Sequence, residues 1–532
     1  MKAPAVMAIG PEQVQALLRR VQAVVAPGDY EIVAGLASTV QRLSEMIENK
    51  NLTLARLRQM LFGIQSEHKD KIFPGSEASS AGESGILGQG KQAPEKKPGH
   101  GRNGAQDYAG ATRIKLSHPE MKSGCVCRKC ERGKMYQLEG GQVVRIVGRP
   151  PLEATVYEPE RWRCNACGQI VTAPLPPEAH GEKYDQTAGS MIALLKYGSG
   201  MPFHRLEKLQ ESLQVPLPAA TQWEIVEEVA EVAHPAWERL LSEAAQGQVL
   251  HNDDTTMTVL SLEKENKGAE APERKGVFTV GIVSEVEGRK LGVFLTGRQH
   301  AGERLEELLK RRAAELSAPI QMCDGLSRNL PEGLKTILSN CLAHGRRKFV
   351  EAAGNFPDEC RYVLERLAEV YHNDELARNQ GLSPDERLAF HQAQSAEAME
   401  CLEQWLELQL AKKKIEPNSG LGQAINYMLK RWQPLTLFLR QAGAPLDNNI
   451  CERALKQAIL HRKNAYFYKT ENGALAGDIL MSLIHTCRLN GVNPFDYLTA
   501  LQKYAQRVKE EPKKWLPWNY HEQLLPVPAN SG

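Results

Sequence analysis

No stretch of the 532-residue chain approaches 18 consecutive apolar residues, which excludes a membrane-spanning helix of the usual kind. The opening Met1-Lys2-Ala3-Pro4 has no charged start leading into an apolar core, so no cleaved secretory signal is expected. An excess of one charge is also missing. Lys+Arg (66) against Asp+Glu (64) leaves +2, which argues against a uniformly basic coat for nucleic acid but is silent on local patches. Eleven cysteines in so long a chain suit a reducing cytoplasm, and they are read for metals before disulfides. What is present, 42% hydrophobic and 24% charged residues, is ordinary for a soluble protein. The length predicts about three to five domains.

From about Tyr30 to Met60 the apolar residues repeat every seven positions. Val33, Val40, Ile47 and Leu54 share one heptad position; Leu36, Leu43, Lys50 and Leu57 follow three residues later. This is the seam of a coiled coil, with Lys50 as a break; the plainer alternative is one amphipathic helix lying on the rest of the protein. The expectation is a multimerising helical arm over 1–69. Residues 70–110, with PGSEASSAGESG and KKPGHGRNG, bury too little to offset their ordering entropy and read as a flexible basic linker. Between Lys91 and Lys134, eleven Lys/Arg face four acids, a local +7 that is either a solvated linker or a nucleic-acid contact.

Residues 179–246 carry helical periodicity. Phe203–Val226 reads as helix, turn, helix, with Thr221-Gln222-Trp223 opening the second helix: either a DNA-reading helix-turn-helix or two packed helices. From Gln248 the period changes to two. VLHNDDTTMTVL, GVFTVGIVSEV and KLGVFLTG suggest an antiparallel meander. A helix over 302–316, the short buried strand PIQMCDGL and a strand-into-helix run, TILSNCLAHGRRKFVEAA, extend this to a mixed α/β sheet over 247–353. Residues 354–440 are wholly helical, an all-α insertion. Helix resumes over 441–508, and 509–532 form a C-terminal tail.

Two C-x-x-C pairs, Cys127/Cys130 and Cys164/Cys167, fall within 111–178. Two intervening residues let both sulfurs of a pair face one ion, and two such knuckles close a four-thiolate site, the structural form of zinc. The alternative is two buried or redox-active pairs, and Cys125 competes with Cys127 as a ligand. The 33-residue loop between the pairs is expected to hold strands of its own, in YQLEGGQVVRIVG and ATVYEP.

Three acids stand where a polymer-cutting site would want them: Asp253 in the first strand (HNDDTT), Asp324 ending a short strand (MCDG), and Glu452 one turn into a helix after DNN. Converging carboxylates could hold two Mg2+ or Mn2+ ions about 4 Å apart, which activate a water or 3′-hydroxyl for in-line phosphoryl transfer. Any large protein has acids near strands, so the spacing alone is weak. In PLDNNICERALKQAILHRKNAYF, Asp447 or Asn448 can cap the helix, and Cys451, Ala454, Leu455 and Ala458 form a buried stripe. Lys456 and Lys463 follow Glu452 along the helix, with Arg462 beside them, as a phosphate track or as a solvated Glu–Lys face. His344, Arg346, Arg347 and Lys348 in CLAHGRRKF are further phosphate-contact candidates, or a basic helix face.

Together these blocks resemble the insertion sequence 66 family of bacterial DDE transposases. The resemblance runs nearly end to end: MLFGIQSE, KKPGHGR, the paired C-x-x-C, LLKYGSGMPFHR, LHNDDTT, CDG, CLAHGRRKF, PLDNNICERALK, LNGVNPFDYL and WLPWNY. It implies a ribonuclease-H-like mixed-sheet core with an all-α insertion, preceded by the coiled coil and a zinc-ribbon-like module. It also implies a metal-binding triad of Asp253, Asp324 and Glu452, Mg2+-dependent end cleavage and strand transfer, and recognition of terminal inverted repeats and target DNA. Homo-oligomers, accessory proteins of the same element and a bacterial cytoplasmic, nucleoid-associated setting follow from it. Two departures stand out: Asp254-Thr255 where the family has Glu-Thr, which leaves the first ligand open between Asp253 and Asp254, and Lys456 where an arginine is frequent. The rival readings are a non-catalytic zinc-containing DNA-binding regulator, or a nuclease that cuts without joining.

Overall fold

The structure is a computed structural model. It describes residues 143–524 apart from 166, 168, 269–273, 413 and 414, with isolated positions earlier in the chain. The heptad segment and the basic linker, isolated positions aside, lie outside the described residues, as does Cys127. No described helix is long and apolar enough to cross a membrane. The chain divides into two units, residues 342–442 and a second that contains everything else described from residue 143 on.

In the larger unit, β1 (Arg161–Arg163) pairs antiparallel with β2 (Ile170–Thr172). Cys164 and Cys167 lie in the turn between them, where the Cys164 N–H donates to the Gln169 carbonyl at 2.9 Å. Strands were expected ahead of this hairpin, but residues 143–160 form none. Their period-two residues Val143, Ile146, Val147 and Val156 are all exposed, and without a covered face a short apolar alternation gains nothing from pairing.

α1 (Gln186–Ala193) starts on Asp185, whose carboxylate accepts the Ala188 N–H, and widens into a π-helical turn over Leu194–Gly198. α2 (Phe203–Ser212) and α3 (Ala219–Ala244) follow. α3 is the candidate reading helix, yet it buries Gln222, Val226, Val229, Ala230, Ala233, Ala236, Trp237, Leu240, Leu241 and Ala244. That stripe, at steps of three and four over nearly its whole length, makes it a core helix.

β3 (Val249–Thr256), α4 (Leu260–Gly268), β4 (Phe278–Val286), β5 (Arg289–Gly297), α5 (Ala301–Leu309), β6 (Ile320–Cys323) and β7 (Ile337–Asn340) complete the first half of the core. The sheet order is β5-β4-β3-β6-β7: an antiparallel meander with two parallel strands added beside β3. This mixed sheet with flanking helices is consistent with the expected ribonuclease-H-like core. Helix α4 was not foreseen. The chain leaves the sheet after Thr256 because Val259 bridges to Tyr468, and the Leu260 N–H donates to the Tyr468 carbonyl at 2.9 Å. α5 is shorter than expected, ending at Leu309, since the Arg312 guanidinium bonds the Ala245 and Gly247 carbonyls and turns the chain onto the end of α3.

The smaller unit holds α6 (Leu342–Ala352), α7 (Pro357–Asn379), α8 (Pro384–Gln394), α9 (Ala396–Ala411) and α10 (Gly420–Lys430). It buries Phe349, Val363, Leu367, Leu402, Leu406, Ile425 and Met428. α6 was expected with the catalytic core but groups with the insertion. Gly345 faces Met428 so closely that an added Cβ would lie 2.6 Å from its sulfur.

The larger unit resumes with α11 (Asn449–Ala465), α12 (Glu471–Leu489), α13 (Pro494–Lys503) and α14 (Ala505–Glu510). The excursion closes tightly: the Asn448 N–H donates to Cys341 Sγ at 3.3 Å. α12 covers the free edge of β5. The N–H groups of Gly292, Phe294 and Thr296 donate to Thr486 Oγ1, Ser482 Oγ and Asp478 Oδ2 at 3.0, 2.9 and 2.6 Å. Side chains four residues apart on a helix thus satisfy donors two residues apart on a strand, and the edge is blunted.

Candidate active site

Asp253 and Asp254 are neighbours on β3, and strand geometry sends their side chains to opposite faces. The Asp254 carboxylate, 2% exposed, is taken by His300 Nδ1 at 2.9 Å and by the Arg328 guanidinium at 3.2 Å. His300 is itself stacked on Phe278, with ring centroids 4.1 Å apart. Asp253 faces the other way. β3 and β6 run parallel with His251 beside Met322, and the same register continued by two residues sets Asp253 beside Asp324.

The third acid arrives by a close approach. Gly281 of β4 pairs with Asp253, and the Cys451 thiol donates to the Gly281 carbonyl at 3.2 Å. A Cβ on Gly281 would lie 2.9 Å from Leu455 Cδ2 and 3.6 Å from Cys451 Sγ, so α11 rests flat on the sheet only because residue 281 lacks one. The stripe that rests there, Cys451, Ala454, Leu455 and Ala458, is the one read from sequence, extended to His461. Glu452, beside Cys451, is thereby carried to the aspartates. Burial pushes the Asp253 carboxyl up to about 6. The Asp254 N–H bond opposes the shift, and the charges of Asp324, Asp254 and Glu452 add to it. Clustered carboxylates of this kind are hard oxygen donors, which fit a divalent cation such as Mg2+ or Mn2+.

Beneath the acids runs a buried amide network that sequence reasoning missed. Asn329 Nδ2 donates to Asp324 Oδ1 at 2.6 Å. The Asn329 carbonyl accepts from Asn252 Nδ2 at 2.8 Å and from Gln321 Nε2 at 2.7 Å. Gln321 also donates to Asn252 Oδ1 at 3.0 Å. Asn448 Nδ2 donates to the Asn252 carbonyl at 3.2 Å, and its Oδ1 meets His251 Nδ1 at 3.2 Å. Asn252, Gln321, Asn329 and Asn448 are all fully buried. The network joins β3, the turn after β6 and the start of α11, the three segments that bear the acids. Its groups are neutral; burial keeps His251 below its ordinary pKa. The available signal was a polar residue at an inward position of an apolar strand. Of the two capping candidates, Asp447 Oδ1 accepts the Asn449 N–H at 3.0 Å, while the Asn448 side chain serves the network.

The basic candidates lie on two helices, α6 and α11. Lys456 and Lys463 are exposed on α11. Arg462 bonds Thr255 Oγ1 at 3.1 Å and the Thr256 carbonyl and hydroxyl, which ties α11 to the end of β3. His344, Arg346, Arg347 and Lys348 lie on α6 of the smaller unit. There the Lys348 ammonium stands 4.7 Å from the Tyr427 ring centroid, and burial lowers the Arg346 pKa. Of the cysteines, Cys130, Cys164 and Cys167 are exposed and Cys125 is half-buried.

Residues 183–476 match the family model described as the Transposase IS66 family. The chain belongs to this family. The matched span of this IS66-family chain takes in all three acids and the helical insertion, and begins after the paired cysteines. Among its relatives in Sinorhizobium fredii, uncharacterized protein y4hP is 24% identical over 501 residues, covering 90% of this chain and 85% of the relative. Uncharacterized protein y4jD is 25% identical over 525 residues, covering 91% and 97%. An IS66 transposase domain supports a transposase-type nuclease with DNA as its partner.

Proposed function

We propose that this IS66-family chain is a DDE transposase that cuts DNA at the terminal inverted repeats of its element and joins the freed ends to target DNA. The observation that carries the reading is the convergence on Asp253: the β3–β6 register brings Asp324, and α11, seated on Gly281, brings Glu452. Asp253, Asp324 and Glu452 would hold Mg2+ or Mn2+, which when bound lowers the charge barrier at the attacked phosphate. Asp254, engaged by His300 and Arg328, is a support and not a ligand.

In the first step a water oxygen bonds to phosphorus and the P–O3′ bond breaks, leaving a 3′-hydroxyl on the element and a 5′-phosphate on the flank. In the second, that 3′-hydroxyl oxygen attacks a target phosphodiester and a target 3′-hydroxyl leaves. Lys456 and Lys463 would line the backbone beside the cut, and His344, Arg346, Arg347 and Lys348 would add contacts from α6. Zn2+ held by Cys127, Cys130, Cys164 and Cys167 would staple the N-terminal module, and the heptad arm would pair copies of the chain.

Glu452→Gln keeps the shape and removes the charge. On inverted-repeat DNA with Mg2+, end cleavage and strand transfer should fall at least about a hundredfold while DNA binding persists. Undiminished cleavage would overturn the triad; cleavage without joined products would make the chain a nuclease only.

A further inference from the structure

α11 ends abruptly. Tyr466 has φ +68° and ψ −43°, and the Phe467 N–H donates to the Ala465 carbonyl at 2.9 Å. This is a γ-turn of the positive-φ kind, rare and strained for any residue with a β-carbon. The two rings it presents face solvent, Tyr466 at 69% and Phe467 at 44% exposure. Neighbours on both sides are fixed. The Tyr466 N–H donates to the Arg462 carbonyl at 2.9 Å, and Arg462 is bound to Thr255 and Thr256. Tyr468 is 5% exposed, stacks on His461 at 4.4 Å between centroids, and its N–H donates to the Thr258 carbonyl at 2.9 Å. A strained turn is thus held rigidly to display two aromatic rings that the core does not use.

The surroundings specify the occupant. Within three residues of the turn stand two exposed cations, Lys463 and Lys469, and no acid falls between Arg453 and Thr470. The turn is bonded to the end of β3, whose Thr256 lies three residues past Asp253, roughly 10 Å along the strand or about three base-pair rises. Cations beside exposed aromatics suit the two faces of a nucleotide, phosphate and base. A base stacked within duplex offers only its edges, so face-on contact requires one that has left the stack.

We propose that Tyr466 and Phe467 form a stacking platform for unpaired DNA bases next to the scissile phosphate, selecting the π-face of a base and not its sequence. The inference rests on the DNA-cutting reading and adds local strand opening to it.

The test uses the full-length chain carrying Glu452→Gln, so that binding is read without cutting. Its probes are duplexes ending in the element's terminal sequence, either fully paired or with three unpaired bases beside the cut, and an unrelated sequence of each form. The forked forms should bind more tightly than the paired forms, whatever the sequence. Tyr466→Ala with Phe467→Ala should cut that preference on the order of 5- to 100-fold. Tyr466→Gly should behave likewise although it relaxes the turn, which removes misfolding as an explanation, and Tyr466→Phe should restore the preference. A 2-aminopurine placed among the unpaired bases should be quenched by the parent and not by the Ala variant. Equal preference in all variants would overturn the platform while leaving the nuclease reading intact. Loss of multimer mass with DNA preference retained would overturn it in favour of a protein contact, and failure to bind any DNA would sink both readings.

Discussion

Asp253 holds its proton to about pH 6 because burial and neighbouring carboxylates disfavour its charge. The sign has two consequences. Without metal, the stability contributed by the protonated form is complete below the ordinary value of 3.8 and is lost as pH rises through about 6. With metal, a divalent cation must displace that proton below about 6, so affinity should fall as pH drops and level off above. Calorimetric titration with Mn2+ at pH 5, 6, 7 and 8 should show this rise and plateau, and Asp253→Asn should flatten it. At this scale the sequence was half legible. HNDD offered two aspartates, and strand alternation separates their faces, but which face meets Asp324 depends on long-range partners. His300, 46 residues away, and Arg328 are what claim Asp254.

Among the elements, α11 was the most legible, since its buried stripe follows directly from steps of three and four. What seats it was not: Gly281 is one glycine in a strand, and only the assembled structure shows the helix resting on it. Gly281→Val should overpack this contact by about 1–3 kcal/mol, lowering the melting temperature and shifting Glu452. Cleavage should drop more than tenfold. Adding Leu455→Ala to the same chain should return part of both, as measured by thermal unfolding and by end cleavage. The strand pattern of β3 to β7 was also readable, because period-two apolar runs mark a half-buried sheet. α4 was hidden by a tertiary bridge, Val259 to Tyr468, that overrides local preference. The false strands at 143–160 show the converse, a period with nothing to cover it.

For the whole molecule, a net charge of +2 is an average over a balanced chain with a basic run after Glu452. If Lys456 and Lys463 each neutralise one phosphate, replacing both with Ala should flatten the plot of log affinity against log salt by about 2. An unchanged slope would place them away from the backbone. The edge of the helical unit was not legible in the sequence: α6 joins it through packing on α10, which sequence separation conceals. The placement of that insertion also sets a clock. Asp324 and Glu452 are 128 residues apart with the helical unit between them, while Asn448 returns to within 3.3 Å of Cys341. At roughly 5–20 residues per second, a ribosome delivers the last acid about 6–25 s after the second. If the proposed triad does the cutting, the sheet with its two aspartates would be made long before it could cut, and a nascent chain that stalls or is truncated within residues 342–442 would lack the third carboxylate.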